Sequence, residues 1–151
     1  MSKIKFRAWD KDSKTMCDVN FIRFSDSQYT NVGYRVKNNG KISDENSLLD
    51  ENANGTCVLM QYTGLKDKND KEIYEGDIID IHQTVNGCNL FVIVWSDIGF
   101  SACYLIDGEI SREYEYGIEE LLDVNIGKYE KSVEVVGNIY ENHELLEVVS
   151  L

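Results

Sequence analysis

The residues that could carry out chemistry in this chain are few and far apart. The chain has two histidines, His82 and His143, among its 151 residues. A structural zinc site needs about four Cys or His ligands that converge on the metal. His82 and Cys88 are separated by an expected turn, and the other histidine and cysteines are remote in sequence. We therefore expect no metal site.

The cysteines show no C-x-x-C spacing. The basic residues at the start of the chain are not followed by an apolar stretch, so this segment lacks the pattern of a signal peptide. Cytoplasmic thiols normally stay reduced. We predict a cytoplasmic protein with free thiols at Cys17, Cys57, Cys88 and Cys103.

A calcium loop is the next chemistry to test, because Asp67, Asn69 and Lys71 occupy its first, third and fifth positions. The sixth position of such a loop requires glycine, and the twelfth requires a bidentate glutamate. This chain has Glu72 and Ile78 there. The spacing excludes an EF-hand calcium site.

Catalytic signatures are also missing from the sequence. It has no G-x-S-x-G elbow and no phosphate-binding P-loop. Carboxylate pairs such as Glu113 and Glu115 lie on polar stretches, where solvation is the ordinary explanation. A Ser-His or Cys-His pair can still meet in space without any local motif. We expect a non-enzymatic protein with no catalytic residues and no cofactor.

One short segment could bind a nucleic acid. Lys3, Lys5 and Arg7 share one face of an alternating strand, and Trp9 follows on the same face. Positive charge beside an aromatic ring can hold a single strand by attraction and stacking. The alternative is a soluble edge strand whose lysines discourage aggregation and whose tryptophan is core. We favour the alternative, because three charges fall short of a typical basic patch.

The overall charge also argues against nucleic-acid binding. The formal net charge is −12, which argues against ordinary binding to a phosphate backbone. Residues 1–40 carry eight basic and four acidic side chains (+4), residues 41–81 four and ten (−6), and residues 82–151 three and thirteen (−10). The longest apolar run, Leu90 to Trp95, is far below the roughly 20 residues that span a membrane. We expect neither a nucleic acid nor a membrane as partner.

Hydrophobic patterning predicts a mainly β fold with short helices. Short strand-like runs recur with turn signals, which is typical of all-β proteins. Residues 38–56 are polar and acidic and are predicted to form a surface loop. Asn142 is predicted to cap a short terminal helix, with Leu145 and Leu146 against the core. The predicted strands lie at 3–8, 19–24, 32–36, 57–63, 77–82, 90–95, 100–106 and 133–140.

The middle of the chain has the clearest turn chemistry. Residues 66–71 form a polar hairpin tip, and Gly76 and Asp77 form a tight turn before an apolar strand, as in small SH3-like barrels. Aromatic residues alternate with Gly or Asn here and in the last predicted strand, as strand ends with unusual backbone angles require. The predicted architectural residues are Tyr62, Gly64, Tyr74, Gly76, Asp77, Asn138 and Tyr140.

Three segments carry a family resemblance: KIKFRAWD at 3–10, LMQYTGLKDKNDKEIYEGDII at 59–79 and VGNIYENHELL at 136–146. They resemble the opening, middle and closing blocks of the YopX family of phage and prophage proteins. The resemblance implies a β-rich fold with a small barrel-like part, and it implies no established activity. The chain departs from the family at Asn69-Asp70, where the family usually has Asn-Gly.

Two descriptions of the domain organisation stay open. Residues 1–151 form one domain, or they form two lobes, with amino-terminal strands and an acidic loop in 1–56 and a barrel-like part with a short helix in 57–151.

The leading hypothesis for function is an accessory protein that binds another protein, with a homo-oligomer as one form of that binding. The nine tyrosines suit such contact surfaces. One alternative is an acidic mimic of nucleic acid that blocks a DNA-binding protein of the host. A weaker one is nucleic-acid binding through the amino-terminal strand.

Overall fold

The structure, a computed structural model, describes residues 4–24, 30–38, 41–49, 55–85, 87–97, 99–106, 108–118 and 133–147. The chain divides into two compact units, one within Lys3–Gln61 and one within Tyr62–Leu151. Over the described ranges, no helix is long and apolar enough to cross a membrane. The division between the units falls inside a single strand.

The first unit is an antiparallel sheet with the strand order β4-β3-β2-β1-β5. Its strands are β1 Phe6–Asp10, β2 Thr15–Phe24, β3 Thr30–Asn38, β4 Lys41–Leu49 and β5 Cys57–Lys66. The alternative interpretation assumed that the basic amino-terminal strand lies at an edge of the sheet. This assumption was wrong. Pairing places Ala8 between Cys17 and Leu59, because β1 lies between β2 and β5.

The predicted loop at 38–56 was wrong over most of its described length. β4 pairs with β3 without interruption, from Thr30 opposite Leu49 to Asn38 opposite Lys41. This strand lies at the edge of the sheet, and most of its side chains are exposed. An exposed edge strand needs no apolar alternation, and charged residues there discourage pairing with other chains. The polar composition therefore marks an edge strand rather than a loop.

The second unit begins with the end of β5. Its further elements are β6 Glu72–Tyr74, β7 Asp77–Val85, β8 Cys88–Ser96, β9 Gly99–Ile106, β10 Glu109–Gly117, β11 Glu134–Asn138 and α1 His143–Glu147. The end of β5 pairs with β6 through Tyr62 opposite Tyr74, and the strands β7 to β11 form a five-stranded antiparallel sheet in the order β10-β9-β8-β7-β11.

Both faces of this sheet are covered, so the uninterrupted apolar run from Leu90 to Trp95 forms its central strand β8. Phe91 and Ile93 belong to one apolar cluster, and Val92 and Val94 belong to another. Leu145 and Leu146 of α1 pack against the second cluster, as predicted. The fold is β-rich, as expected, although the described strands form open sheets and not a closed barrel.

The predicted cap of α1 takes a different form. Asn142 precedes the helix, and its Oδ1 accepts a hydrogen bond from the backbone N–H of Asn138 (3.1 Å). The helical N–H of Leu145 bonds instead to the backbone carbonyl of Asn142 (3.0 Å). The side chain of Asn142 thus fastens α1 to the end of β11.

Candidate functional site

The hairpin tip between β5 and β6 is built around the carboxylate of Asp67. Its Oδ1 accepts hydrogen bonds from the N–H groups of Asn69 (2.8 Å) and Lys71 (2.9 Å). Its Oδ2 accepts one from the N–H of Val135 in β11 (3.0 Å). The buried Asp67 therefore closes the turn and also fixes the tip onto β11.

A cluster of three charged or titratable side chains lies where this tip meets β7 and β11. Lys68 Nζ is 2.7 Å from Glu134 Oε2 and 2.8 Å from His82 Nε2. His82 Nε2 is 2.9 Å from the same oxygen of Glu134. Three atoms from three segments of the second unit thus form a nearly equilateral triangle, which we call the Lys68–His82–Glu134 cluster.

Neighbouring groups hold the ring of His82 in place. Asp80 Oδ1 accepts hydrogen bonds from the backbone N–H of His82 (2.6 Å) and from Asn89 Nδ2 (3.1 Å). The other carboxylate oxygen, Asp80 Oδ2, is 3.5 Å from His82 Nδ1. The φ of His82 is +52°, a left-handed conformation that is uncommon outside glycine. Strained backbone of this kind is often found at functional sites.

The electrostatics of the cluster favour an ionised glutamate. Hydrogen bonds from Lys68, and then from His82, hold the pKa of Glu134 below its usual range. Asn69 Nδ2 donates to the second oxygen of Glu134 (3.3 Å). The ring of His82 is therefore surrounded by an ammonium and two carboxylates, a set that can hold or move a proton.

Sequence reasoning did not identify this cluster. His82 was weighed as a metal ligand and as a possible partner of a Ser or Cys, and not as a partner of Lys68 or Glu134. In the described residues, no group of three or more His, Cys, Asp or Glu is arranged to hold a metal ion. Glu134 is brought to His82 by the pairing of β11 with β7, where Glu134 lies opposite Asp80. A strand pairing over this distance leaves no local signal in the sequence.

The tight turn predicted at Gly76 and Asp77 joins several segments of the second unit. Gly76 has a φ of +78°, and its N–H donates to the carbonyl of Ile93 in β8 (2.8 Å). The carbonyl of Gly76 accepts from the N–H of Ile139 (3.0 Å). Asp77 closes the turn, because its Oδ2 accepts from the N–H of Tyr74 (2.7 Å).

The other predicted architectural residues lie in β5, in β6, at the end of β11 and just after β11. Asn138 is opposite Asp77 in the β7–β11 pairing, and its Oδ1 accepts from the N–H groups of Tyr140 (3.0 Å) and Glu141 (2.9 Å). The rings of Tyr62 and Tyr74 pack with centroids 5.4 Å apart. Gly64 has a φ of +90°.

The residues proposed to bind a nucleic acid are only partly exposed to solvent where the structure describes them. Lys3 lies outside the described residues, and Lys5 and Arg7 are half-buried. Arg7 Nη2 lies 3.7 Å from the sulfur of Met60. Trp9 is 7% exposed, so its ring is packed in the first unit and offers little surface for a base to stack on.

The most exposed large apolar side chain described in the second unit is Trp95, which packs against the half-buried Phe100. Trp95 in β8 lies opposite Phe100 in β9, next to the hairpin that joins the two strands. The rings meet edge to face, with centroids 4.7 Å apart and an interplanar angle of 80°. Trp95 is 56% exposed, whereas Phe91 and Ile93 of the same strand are buried.

A family model and one solved structure match nearly the whole chain. The sequence model described as YopX protein matches residues 5–147. The chain is 29% identical in sequence to protein EF1440 from Enterococcus faecalis, and its fold is similar to the crystal structure of that protein, with a TM-score of 0.62. The match covers 97% of this chain and 100% of that one. No curated protein matches the chain.

Proposed function

Because this chain belongs to the YopX family, we propose that it is an accessory protein of a phage or prophage, and that it acts by binding another protein rather than by catalysis. The bound protein is a host or phage protein, or a second copy of this chain. The observation that supports this proposal is the exposed ring of Trp95, which packs edge to face on the half-buried Phe100.

Three properties of the pair favour a protein contact. Tryptophan is enriched among the residues that carry most of the binding energy at protein interfaces. An aromatic side chain also loses little conformational entropy on binding, because it has only two side-chain torsions. The edge-to-face contact with Phe100 holds Trp95 in one orientation before any partner arrives.

The test is affinity capture from a bacterial host lysate, with Trp95→Ala as the variant. Phe24→Ala is the matched control, since Phe24 is an aromatic residue of the first unit and is 79% exposed. We expect wild type and Phe24→Ala to capture the same protein and Trp95→Ala to capture at least about tenfold less, the loss for a contact worth about 1.4 kcal/mol. Equal capture by all three would contradict the proposal.

Self-association is tested with the same variants in purified form. A dimer or larger oligomer that uses the pair should dissociate at a higher protein concentration in Trp95→Ala than in Phe24→Ala, as measured by light scattering. Chemical denaturation of each variant shows whether lost binding reflects lost folding. A Trp95→Ala protein that is fully folded and binds normally would show that the pair does not form the contact and would contradict the proposal.

The acidic-mimic alternative is supported by one specific observation, the formal charge of −10 over residues 82–151. Carboxylates spaced along a surface can occupy phosphate sites on a basic protein. Under this alternative the chain should compete with a DNA oligonucleotide for the protein that it captures. Failure to compete would exclude it.

A further inference from the structure

The Nε2 atom of His82 lies within hydrogen-bonding distance of two groups that require opposite protonation states. Lys68 Nζ, at 2.8 Å, is a donor and needs an unprotonated nitrogen that accepts. Glu134 Oε2, at 2.9 Å, is an acceptor and needs a protonated nitrogen that donates. The two contacts cannot both be hydrogen bonds at one time.

Each protonation state therefore has its own hydrogen-bond pattern. With Nε2 unprotonated, the ammonium of Lys68 donates to both His82 and Glu134, and Lys68 is the central group. With Nε2 protonated, Glu134 accepts from both cations, while Lys68 and His82 repel each other. The contact of 2.7 Å between Lys68 and Glu134 is favourable in both states.

The surroundings of the ring support both states. The charged groups that face it among the described residues are Lys68 from the hairpin tip, Asp80 from its own strand β7 and Glu134 from β11. On β8 the nearby polar side chain is the neutral amide of Asn89, which bonds to Asp80. Asp80 favours a proton on Nδ1, which leaves Nε2 free to accept from Lys68 in the neutral ring.

We propose that His82 is a proton-dependent connector in the second unit: when neutral it is linked to Lys68 of the hairpin tip, and when protonated it is linked to Glu134 of β11. Protonation thus removes the side-chain link between the tip and β7 and adds one between β7 and β11. Two other hydrogen bonds that fix the tip, from Lys68 N–H to the carbonyl of Val133 and from Val135 N–H to the carboxylate of Asp67, stay in place in both states.

The experiment follows the side-chain resonances of the full chain by NMR from about pH 5 to pH 8, the range in which histidine side chains usually change charge. We expect the Lys68 ammonium nitrogen to shift in step with the His82 ring as His82 is protonated, because Lys68 loses one of its two acceptors. A Lys68 resonance that does not change while His82 titrates would overturn the proposal, and this result needs no variant.

The chain supplies a matched control, because it contains just one other histidine. His143→Gln removes an exposed histidine on α1 and should leave the Lys68 transition unchanged. His82→Gln should abolish it. A Lys68 transition that survives in His82→Gln, or disappears in His143→Gln, would assign the effect to another group and reject the connector.

Discussion

Asp70 occupies a backbone conformation that few residues adopt. Its φ is +67°, in the left-handed region. Aspartate tolerates this region better than most residues, yet glycine reaches it without a steric penalty. The side chain of Asp70 makes an exposed ion pair with Lys66, and pairs of this kind contribute little to stability. The residue is therefore a site of local strain with little compensation.

We predict that Asp70→Gly stabilises the protein by about 0.5–1 kcal/mol. The relief of left-handed strain exceeds the extra entropy that glycine gives to the unfolded chain. Chemical denaturation should show a higher midpoint with an unchanged slope. Lys66→Met reports the ion pair separately and should shift the midpoint by less. A lower midpoint in Asp70→Gly would mean that the carboxylate has a structural role.

Tyr34 and Asp10 form a buried polar pair in the first unit. The hydroxyl of Tyr34 donates to Asp10 Oδ2 at 2.7 Å, and the N–H of Ser13 donates to Asp10 Oδ1 at 2.6 Å. Burial raises the pKa of Asp10, but the hydrogen bonds from Ser13 and Tyr34 outweigh burial and lower it. Burial also raises the pKa of Tyr34, so the phenol remains a donor.

We predict that Tyr34→Phe lowers stability at neutral pH by about 1–3 kcal/mol, the usual cost of leaving a buried charged acceptor with one partner fewer. Because the folded pKa of Asp10 is depressed, its stabilising effect is present above the unfolded pKa of about 4 and is lost as pH falls through the folded value. Denaturation midpoints from neutral to acidic pH should converge for the two proteins. A constant difference at all pH values would contradict this assignment.

The backbone of Gly76 hydrogen-bonds to two other segments of the second unit, and these bonds depend on its left-handed conformation. Its N–H and carbonyl bond to Ile93 and Ile139, and its φ is +78°. We predict that Gly76→Val destabilises the protein by about 1–3 kcal/mol, because a β-branched residue cannot adopt this conformation cheaply.

Tyr140→Ala tests the other end of the same junction, next to Asn138. If these residues are architectural, both variants should lower the denaturation midpoint. Unchanged midpoints together with lost capture of a partner would show that they line a binding surface instead.

The strands show which elements a sequence can reveal. β8 was predicted because its apolar residues face two covered sides of the sheet. β4 was missed because most of its side chains are exposed, so its sequence has no apolar alternation. β10 was missed because a register shift between Ser111 and Glu115 interrupts its pairing with β9 and breaks the two-residue period.

The candidate site was beyond sequence reasoning for a related cause. The tight turn at Gly76 has local chemistry, and its position followed from the residues around it. The Lys68–His82–Glu134 cluster depends on β11 pairing with β7, a choice made by the whole sheet. The sequence around Lys68 and around Glu134 does not distinguish these residues from ordinary exposed charged residues.

At the scale of the whole molecule, charge and burial together argue against binding of nucleic acid. The formal charge is −12, and the tryptophan of the basic strand is buried. We predict no gel shift of a single-stranded oligonucleotide at about 0.15 M salt, where screening extends over about 8 Å. A Lys3, Lys5 and Arg7 triple-alanine variant should behave like wild type. A shift seen with wild type and lost in the triple variant would establish binding through the amino-terminal strand.

Salt dependence separates the two remaining functions, because they rest on different physical forces. A contact centred on Trp95 and Phe100 is driven by burial of apolar surface, which salt does not screen. A nucleic-acid mimic acts through its carboxylates, and its attraction weakens as the screening length falls from about 10 Å at 0.1 M salt to about 3 Å at 1 M. We predict that the dissociation constant of the captured complex changes by less than about tenfold, or about 1.4 kcal/mol, between these conditions. Titration by fluorescence of the tryptophans measures it, and a much larger loss of affinity at high salt would favour the mimic over the aromatic contact.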